Sequence, residues 1–543
     1  MPQAEIFAET FDVIVLGSGI AGLAAALAAH EHGLRALLIE KADLIGGTTS
    51  DSYGLIWVGG NHLMRRAGES DTREDIIRYM TFLGGGELAE DRMLALVDRS
   101  PDVIAYYESC GIPFRMMGGI VDHYLGVAAG ARGPGRTLEA ELISGFELGA
   151  WRDKVRTPKD APYFVTAEEQ YAWGGINRYS TWDQDLVRER RDQDMRGKGV
   201  GLVTHFVKAL LARGVPIRLG TAVRNLIVEG DRVTGVRMSD GTALTARKGV
   251  VLATGGYEWN ADLMADFDPI PGLQPLSPQS STGDGLIMGA EIGAAIRRIQ
   301  NNLSLMLGFY LVPDEPSHEP IQCMAGISEM CSPHTLVVNK AGQRFADESY
   351  FQSVVPALRK FDTLRHAYAN LPCFLIFDQQ FAKSYSLAHL PVGAAVPASV
   401  ARDDTIPGLA AKLGIDTIGL GRTVERFNGF AATGTDEDFQ RGALRWRLAD
   451  RSAEGRKNTT LGALDQPPFC GLELRPSLGT TSAGLLTNAH GQVLHQRRHP
   501  IAGLYASGVV AARNEIGAGY QAGINLASGM TFSYLAVKHM QQG

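Results

Sequence analysis

The sequence predicts an α/β fold: a parallel sheet carrying a small antiparallel meander, split by an inserted segment of α+β character. Three observations carry this. Residues 12–40 read as strand, glycine turn, small-residue helix and second strand. Residues 222–253 read as three short strands joined at Gly230-Asp231 and Asp240-Gly241, closed by a fourth, apolar strand. Residues 297–469 lose that pattern, carry many prolines and become helix-rich over 408–454, before sheet-like patterning returns at 480–488, 492–494 and 504–506.

The opening unit carries the most chemistry. Its apolar strand, residues 12–16, runs into Gly17-Ser18-Gly19-Ile20-Ala21-Gly22. Gly17 permits the tight turn into the helix, Gly19 lets a pyrophosphate approach the backbone, and Gly22 lets helix and strand pack closely. The helix N-terminus offers unpaired N–H groups and a positive dipole end. Glu40 ends the second strand, where a carboxylate accepts from a ribose hydroxyl. In a chain with 64 glycines the spacing alone is weak, but here it sits in the full strand–turn–helix–strand context. A dinucleotide is the ligand this predicts.

The remaining elements follow in order. Gly46-Gly47-Thr48-Thr49-Ser50 is a small, hydroxyl-rich loop suited to close approach by a flat ring or a pyrophosphate. Residues 71–111 are helical. Residues 112–197 are irregular and rich in Gly, Tyr and Trp, as in loops that line or cover a site. Residues 199–213 form an amphipathic helix leading to a strand at 215–219. The meander strands are 222–229, 232–238 and 242–247. The buried parallel strand 248–253 ends in Thr254-Gly255-Gly256. Near the C-terminus, residues 503–508 are a strand and turn, and 523–538 a small-residue helix.

The bulk properties exclude several classes. A chain of 543 residues is too long for one core, so at least two domains are expected. A net charge of −7 disfavours a nucleic-acid partner. Five scattered cysteines without C-x-x-C spacing indicate a reducing compartment. No secretory signal and no apolar run of membrane-spanning length are visible, so a cytoplasmic protein without a membrane span is expected. His334 and His499 show no metal-ligand spacing, and no metal is expected.

In order along the chain, the fingerprint, Glu40-Lys41 with Gly46-Gly47-Thr48, Leu252-Ala253-Thr254-Gly255-Gly256, Thr282-Gly283-Asp284-Gly285, the block Val338–Phe345 (VNKAGQRF) and the C-terminal glycine-rich helix resemble the fumarate reductase/3-ketosteroid dehydrogenase flavoprotein superfamily. The resemblance implies a Rossmann-like FAD-binding domain at 8–296 and 470–543, with a substrate (cap) domain at 297–469 inserted into it. It nominates as FAD contacts Gly17, Gly19, Ile20, Ala21, Gly22, Glu40, Lys41, Gly47, Thr48, Thr49 and Ser50. Val223, Ala253, Thr254, Gly255, Asp284, Gly508, Ala522, Asn525 and Leu526 complete the set. The N-terminus of the last helix would face the flavin pyrimidine.

The superfamily divides into reductases of acidic alkenes and dehydrogenases of ketones. Reductases carry a proton-donating arginine four residues after the glutamate of the R-F-x-x-E block and another arginine at the start of the last helix block. Here those positions hold Gln352 and Tyr520, so the carboxylate clamp of a dicarboxylate substrate is missing at both. The ketosteroid dehydrogenase branch fits better. Its ketone-polarising pair maps onto Tyr520 and Gly523, and a second family tyrosine, before a G-R block, maps onto Tyr124 ahead of Gly135-Arg136. The family's base tyrosine falls at Gln352. Tyr350, two residues earlier, is the nearest substitute, and Tyr310 or Tyr179 are others.

Dehydrogenation beside a ketone needs a polarised carbonyl, a base for the α-proton and a hydride acceptor at the β-carbon. Tyr520 and Gly523 supply the first. A tyrosine of lowered pKa, Tyr350 or Tyr124, supplies the second. N5 of FAD supplies the third. The expected function is thus an FAD-dependent dehydrogenase placing an α,β double bond in an apolar cyclic ketone. A 3-ketosteroid comes first and a cyclohexanone-type ring second. The alternative is an ene-reductase of an unsaturated acid or ketone; a flavin subunit of an electron-transfer complex is a third, disfavoured by the lack of His in the 46–52 loop. No second nucleotide fingerprint is present, so a quinone or another external electron acceptor is expected.

Overall fold

The computed structural model describes residues 7–158, 161–302, 304–312, 314, 321–323, 327–388, 390–444 and 458–543. Its first sheet is built around Phe7–Leu16, paired in parallel with Ala36–Ile39 on one side and Ala243–Leu252 on the other. Ile217–Arg218 extends it beyond Ala36–Ile39, and Pro500–Ala506 beyond Ala243–Leu252, both parallel. The meander strands Val223–Glu229 and Arg232–Met238 hang from one end.

The third meander strand and the closing parallel strand, expected as separate elements, are one continuous strand, Ala243–Leu252. Its first half pairs antiparallel with Arg232–Met238 (Gly235 opposite Thr245) and its second half parallel with Pro500–Ala506 (Val250 opposite Leu504). A register shift against Phe7–Leu16, between Phe11 and Val13, absorbs the change. The break expected between Arg247 and Lys248 lies within this strand.

Helix Ile20–Glu31 is buried along almost its whole length, which explains its alanine-rich, all-round apolar sequence. It packs against Lys198–Ala212 and the C-terminal helix Ile524–Gln542. The Ser533 hydroxyl donates to the Ala21 carbonyl at 2.7 Å, so the last helix docks on the first.

A second sheet runs in the order Ile321–Cys323, Leu305–Leu311, Phe469–Leu478, Cys373–Phe377, Thr335–Asn339. Alternation along its strands serves two cores. Val337, Cys373, Leu375 and Phe377 face helix Phe351–Leu358, while Leu336, Val338, Phe374 and Ile376 face Ile406–Leu413 and Thr417–Thr433. Those last two helices occupy the described part of the expected helix-rich stretch; residues 445–454 lie outside the described residues. The boundary expected at 470 falls inside Phe469–Leu478, the middle strand of this second sheet, whose residues 470–474 pair with Cys373–Phe377 and 475–478 with Leu305–Leu311. Among the described residues no helix is long and apolar enough to cross a membrane.

Candidate active site

The nucleotide cradle forms at the C-terminal ends of the parallel strands, where such sheets bind ligands. Gly17 has φ +100°, and a Cβ there would lie 2.3 Å from the Ala253 carbonyl oxygen. A Cβ on Gly22 would lie 1.8 Å from the Gly17 oxygen, so only glycine fits. Gly19 caps the helix, and the Ile20 N–H donates to Thr49 Oγ1 at 3.1 Å, joining the fingerprint to helix Gly47–Asp51, which carries Thr48 and Ser50. Glu40 accepts from the Ser18 N–H (2.9 Å) and hydroxyl (2.6 Å) through one oxygen and from the Ala42 N–H (2.8 Å) through the other. These bonds fix the carboxylate against the glycine turn and leave lone pairs for a ribose.

Lys41 donates to Asp284 (2.7 Å) and Thr282 (2.6 Å), bringing the Glu40-Lys41 and Thr282–Gly285 blocks together. Ala253, Thr254 and Gly255 follow strand Ala243–Leu252, and Val223 opens its own strand. A Cβ on Gly508 would stand 3.0 Å from that of Ala21. Ala522 precedes the last helix, whose first turn holds Asn525 and Leu526; Asn525 donates to Thr480 Oγ1 at 3.2 Å. Among the described residues, buried Ser50 Oγ and Thr254 Oγ1 have no partner, as polar groups awaiting a polar ligand do.

Beyond the cradle the structure brings Tyr124, Tyr350 and Tyr520 together. Tyr124 Oη accepts from the Tyr520 backbone N–H at 3.4 Å, and the Tyr124 ring meets Tyr350 edge-on at 6.1 Å. The Tyr350 hydroxyl donates to the His123 carbonyl at 2.9 Å. The Tyr520 ring lies against His123 (5.3 Å) and Phe351 (5.1 Å). Gly523 caps the last helix at φ +90°, where a Cβ would sit 2.7 Å from the Trp57 nitrogen.

The expected lowered tyrosine pKa is not found. Burial pushes Tyr124 and Tyr520 up to about 12 and raises Tyr350 well above the usual phenol range. All three are neutral hydrogen-bond donors near neutral pH, and neither Tyr350 nor Tyr124 is poised as a base. Of the other substitutes, exposed Tyr310 donates to Gln274 at 2.9 Å and Tyr179 accepts from Arg191 at 2.8 Å. Both hydroxyls are engaged elsewhere.

Two buried ion networks hold these loops. Arg136 bridges Asp71 and Asp122 at 2.7 Å each, and Trp57 Nε1 donates to Asp122 at 2.8 Å, which fixes the residues just before Tyr124. Glu348, next to Ser349-Tyr350, pairs with Arg344 (2.7 Å) and Arg441 (3.2 Å). Burial raises its pKa, but the two guanidinium groups override that and hold it below the usual range.

The FAD binding domain family matches residues 12–530. The chain belongs to this family. It is a flavoprotein, an FAD-dependent oxidoreductase, and the glycine cradle and unpartnered hydroxyls above fit that cofactor. It is 34% identical to a 4-oxocyclohexanecarboxylate 2-dehydrogenase of Sinomonas cyclohexanicum, over 97% of this chain and 92% of that one. It is 30% identical to a 3-oxosteroid 1-dehydrogenase of Mycobacterium tuberculosis, over 98% of each. The 3-ketosteroid Δ1-dehydrogenase of Sterolibacterium denitrificans, solved with 1,4-androstadiene-3,17-dione, superposes with TM-score 0.86 at 29% identity, over 98% of this chain and 99% of that one.

Sequence reasoning missed two residues of this flavoprotein. His123 sits between Tyr520 and Gln352, with its Nδ1 2.5 Å from the Gln352 amide nitrogen. Its place directly before Tyr124 was the available signal. Arg513 is buried and, among the described residues, donates to the neutral oxygens of Asn302 (2.7 Å) and Asn525 (3.5 Å), with no partner there for its Nε. Burial lowers its pKa, and the nearest opposing charges, Glu515 and Asp268, already serve Arg92 and Tyr257. Nothing local in the sequence marks it.

Proposed function

We propose that this flavoprotein dehydrogenates a small cyclic ketone bearing a carboxylate, placing a double bond α,β to the carbonyl. The observation that carries the reading is the placement of Tyr520 three residues before Gly523, the N-cap of the last helix, with the Tyr520 N–H donating to the Tyr124 hydroxyl. The Tyr520 hydroxyl, a neutral donor, and the Gly523 N–H bind the ketone oxygen and stabilise the enolate charge that develops there. Phe351 and the apolar faces of Tyr520 and Tyr350 exclude water from the ring. FAD, held by the glycine turn, the 46–50 loop and the first turn of the last helix, supplies hydride acceptance.

The acidic ring follows from two supports. The relative acting on 4-oxocyclohexanecarboxylate aligns across nearly the whole chain. Arg513, a buried guanidinium with no carboxylate partner among the described residues, is the cation such a substrate needs. A 3-ketosteroid is the second reading, favoured by the structural likeness to the steroid-bound dehydrogenase. The reductase alternative lacks an acid at Gln352 and an arginine at Tyr520. The proposal includes an inserted cap, with its end moved from 469 to about residue 478 to follow the second sheet, and a quinone-type electron acceptor. Steady-state assays with an artificial acceptor, comparing 4-oxocyclohexanecarboxylate with a 3-ketosteroid, test the substrate; turnover of neither contradicts it.

A further inference from the structure

The position where the family places a base holds Gln352, which takes up no proton near neutral pH, and the nearby tyrosines are held neutral by burial. Yet Gln352 is not idle. It is buried and its amide meets His123 Nδ1 at 2.5 Å, while the His123 ring lies against Tyr520 at 5.3 Å. The Gln352 carbonyl oxygen has no partner among the described residues, and a half-turn of the amide hands that oxygen to the Nδ1 proton. The imidazole then presents Nε2 as its basic nitrogen.

We propose that His123 is the base that removes the α-proton, and that Gln352 is the positioning residue that fixes its tautomer. The proposal rests on the cyclic-ketone reading above. In the step, the α C–H bond breaks and its electron pair forms the enolate, whose charge lies on the oxygen bound by Tyr520 and Gly523. The proton passes to neutral His123, giving an imidazolium. A pair on the enolate oxygen then restores the carbonyl, the enolate C=C pair becomes the α,β double bond, and the β-hydrogen leaves with its electrons as a hydride, for which bound FAD would be the acceptor.

The backbone serves this role. The His123 N–H donates to Gln521 Oε1 at 3.0 Å, one residue from Tyr520, and its carbonyl accepts from Tyr350, two residues from Gln352. Gln521 is itself held by Tyr79 at 2.5 Å. One loop residue is thus braced against both halves of the site, so the base and the ketone-binding tyrosine move together. Among the described residues, the titratable groups around it include Tyr520, Tyr350, Tyr124, Tyr79, the Asp122–Arg136 pair and, beyond Tyr350, Asp347. The phenols do not ionise in the neutral range, but burial pushes Asp347, three residues from Tyr350, up to about 6, so the limb is assigned to His123 by its loss in His123→Asn.

The test is anaerobic stopped-flow reduction of the flavin by ring ketone, across pH, in the wild-type holoenzyme, His123→Asn and Gln352→Met. In the wild type the rate should rise with pH along an acid limb in the imidazole range as His123 loses its proton. In His123→Asn it should fall by about 100-fold or more and lose the limb, with the visible flavin spectrum retained. Gln352→Met should keep the limb but displace it, a change that mere loosening of the fold does not produce. A His123→Asn enzyme with wild-type rate and pH profile overturns the base assignment and leaves the cyclic-ketone reading standing. A wild-type flavin that no cyclic ketone reduces overturns both.

Discussion

The Tyr124 hydroxyl accepts a hydrogen bond from the backbone N–H of Tyr520 at 3.4 Å, joining residues 396 positions apart. It orders the short loop between Gly519 and the last helix, and so sets where the Tyr520 hydroxyl points. Burial keeps both phenols protonated, with pKa values pushed up to about 12, which suits donors to an oxyanion.

Replacing Tyr520 with Phe removes that donor and keeps the ring's packing on Phe351 and His123. Flavin reduction by the ketone should slow by about 100- to 1,000-fold, with FAD still bound. Stopped-flow absorbance checks it; an unchanged rate removes Tyr520 from the mechanism.

Gly22→Ala should yield protein with little bound flavin. Its Cβ would stand 1.8 Å from the Gly17 oxygen, forcing the turn that approaches the pyrophosphate to open. The ratio of visible to ultraviolet absorbance of the purified protein measures it, and a full flavin complement contradicts it.

Arg136→Met leaves Asp122 as a buried carboxylate without its ion-pair partner and Asp71 with only the longer contact to Arg132 at 3.9 Å among the described residues. Stability should fall by about 3–5 kcal/mol, as when one partner of a buried pair is removed. Denaturant unfolding of the holoenzyme reads the loss, and an unchanged midpoint contradicts the role given to this network.

Arg513→Gln separates the two substrate readings. If Arg513 holds the substrate carboxylate, KM for 4-oxocyclohexanecarboxylate should rise by about 10- to 100-fold, the worth of a charge-assisted hydrogen bond, while KM for cyclohexanone stays put. Equal changes for both ketones assign Arg513 to the loop junction with Asn302 and Asn525 instead.

The FAD cradle was legible because its geometry is local. Gly17, Gly22 and Glu40 lie within one βαβ unit, and their steric demands appear directly as residue types. The continuous strand Ala243–Leu252 was not legible, because a register shift against Phe7–Leu16, rather than a turn, accommodates Arg247 and Lys248. Tyr124, Tyr350 and Tyr520 were nominated by their positions beside recurring blocks, and the structure brings them together. His123 and Arg513 were not, since each acquires meaning from partners hundreds of residues away: Gln352 and Tyr520 for one, Asn302 for the other. The direction of the tyrosine pKa shifts was also hidden, because burial is a property of the assembled cluster.

The most direct measurement of the central claim is anaerobic titration of the oxidised flavoprotein with 4-oxocyclohexanecarboxylate, following the visible flavin band and analysing the organic product. The account predicts bleaching together with formation of the α,β-unsaturated ketone. A flavin that stays oxidised with this ketone and with a 3-ketosteroid, while the dithionite-reduced protein is reoxidised by an enone or enoic acid, contradicts it and assigns the chain to the reductases.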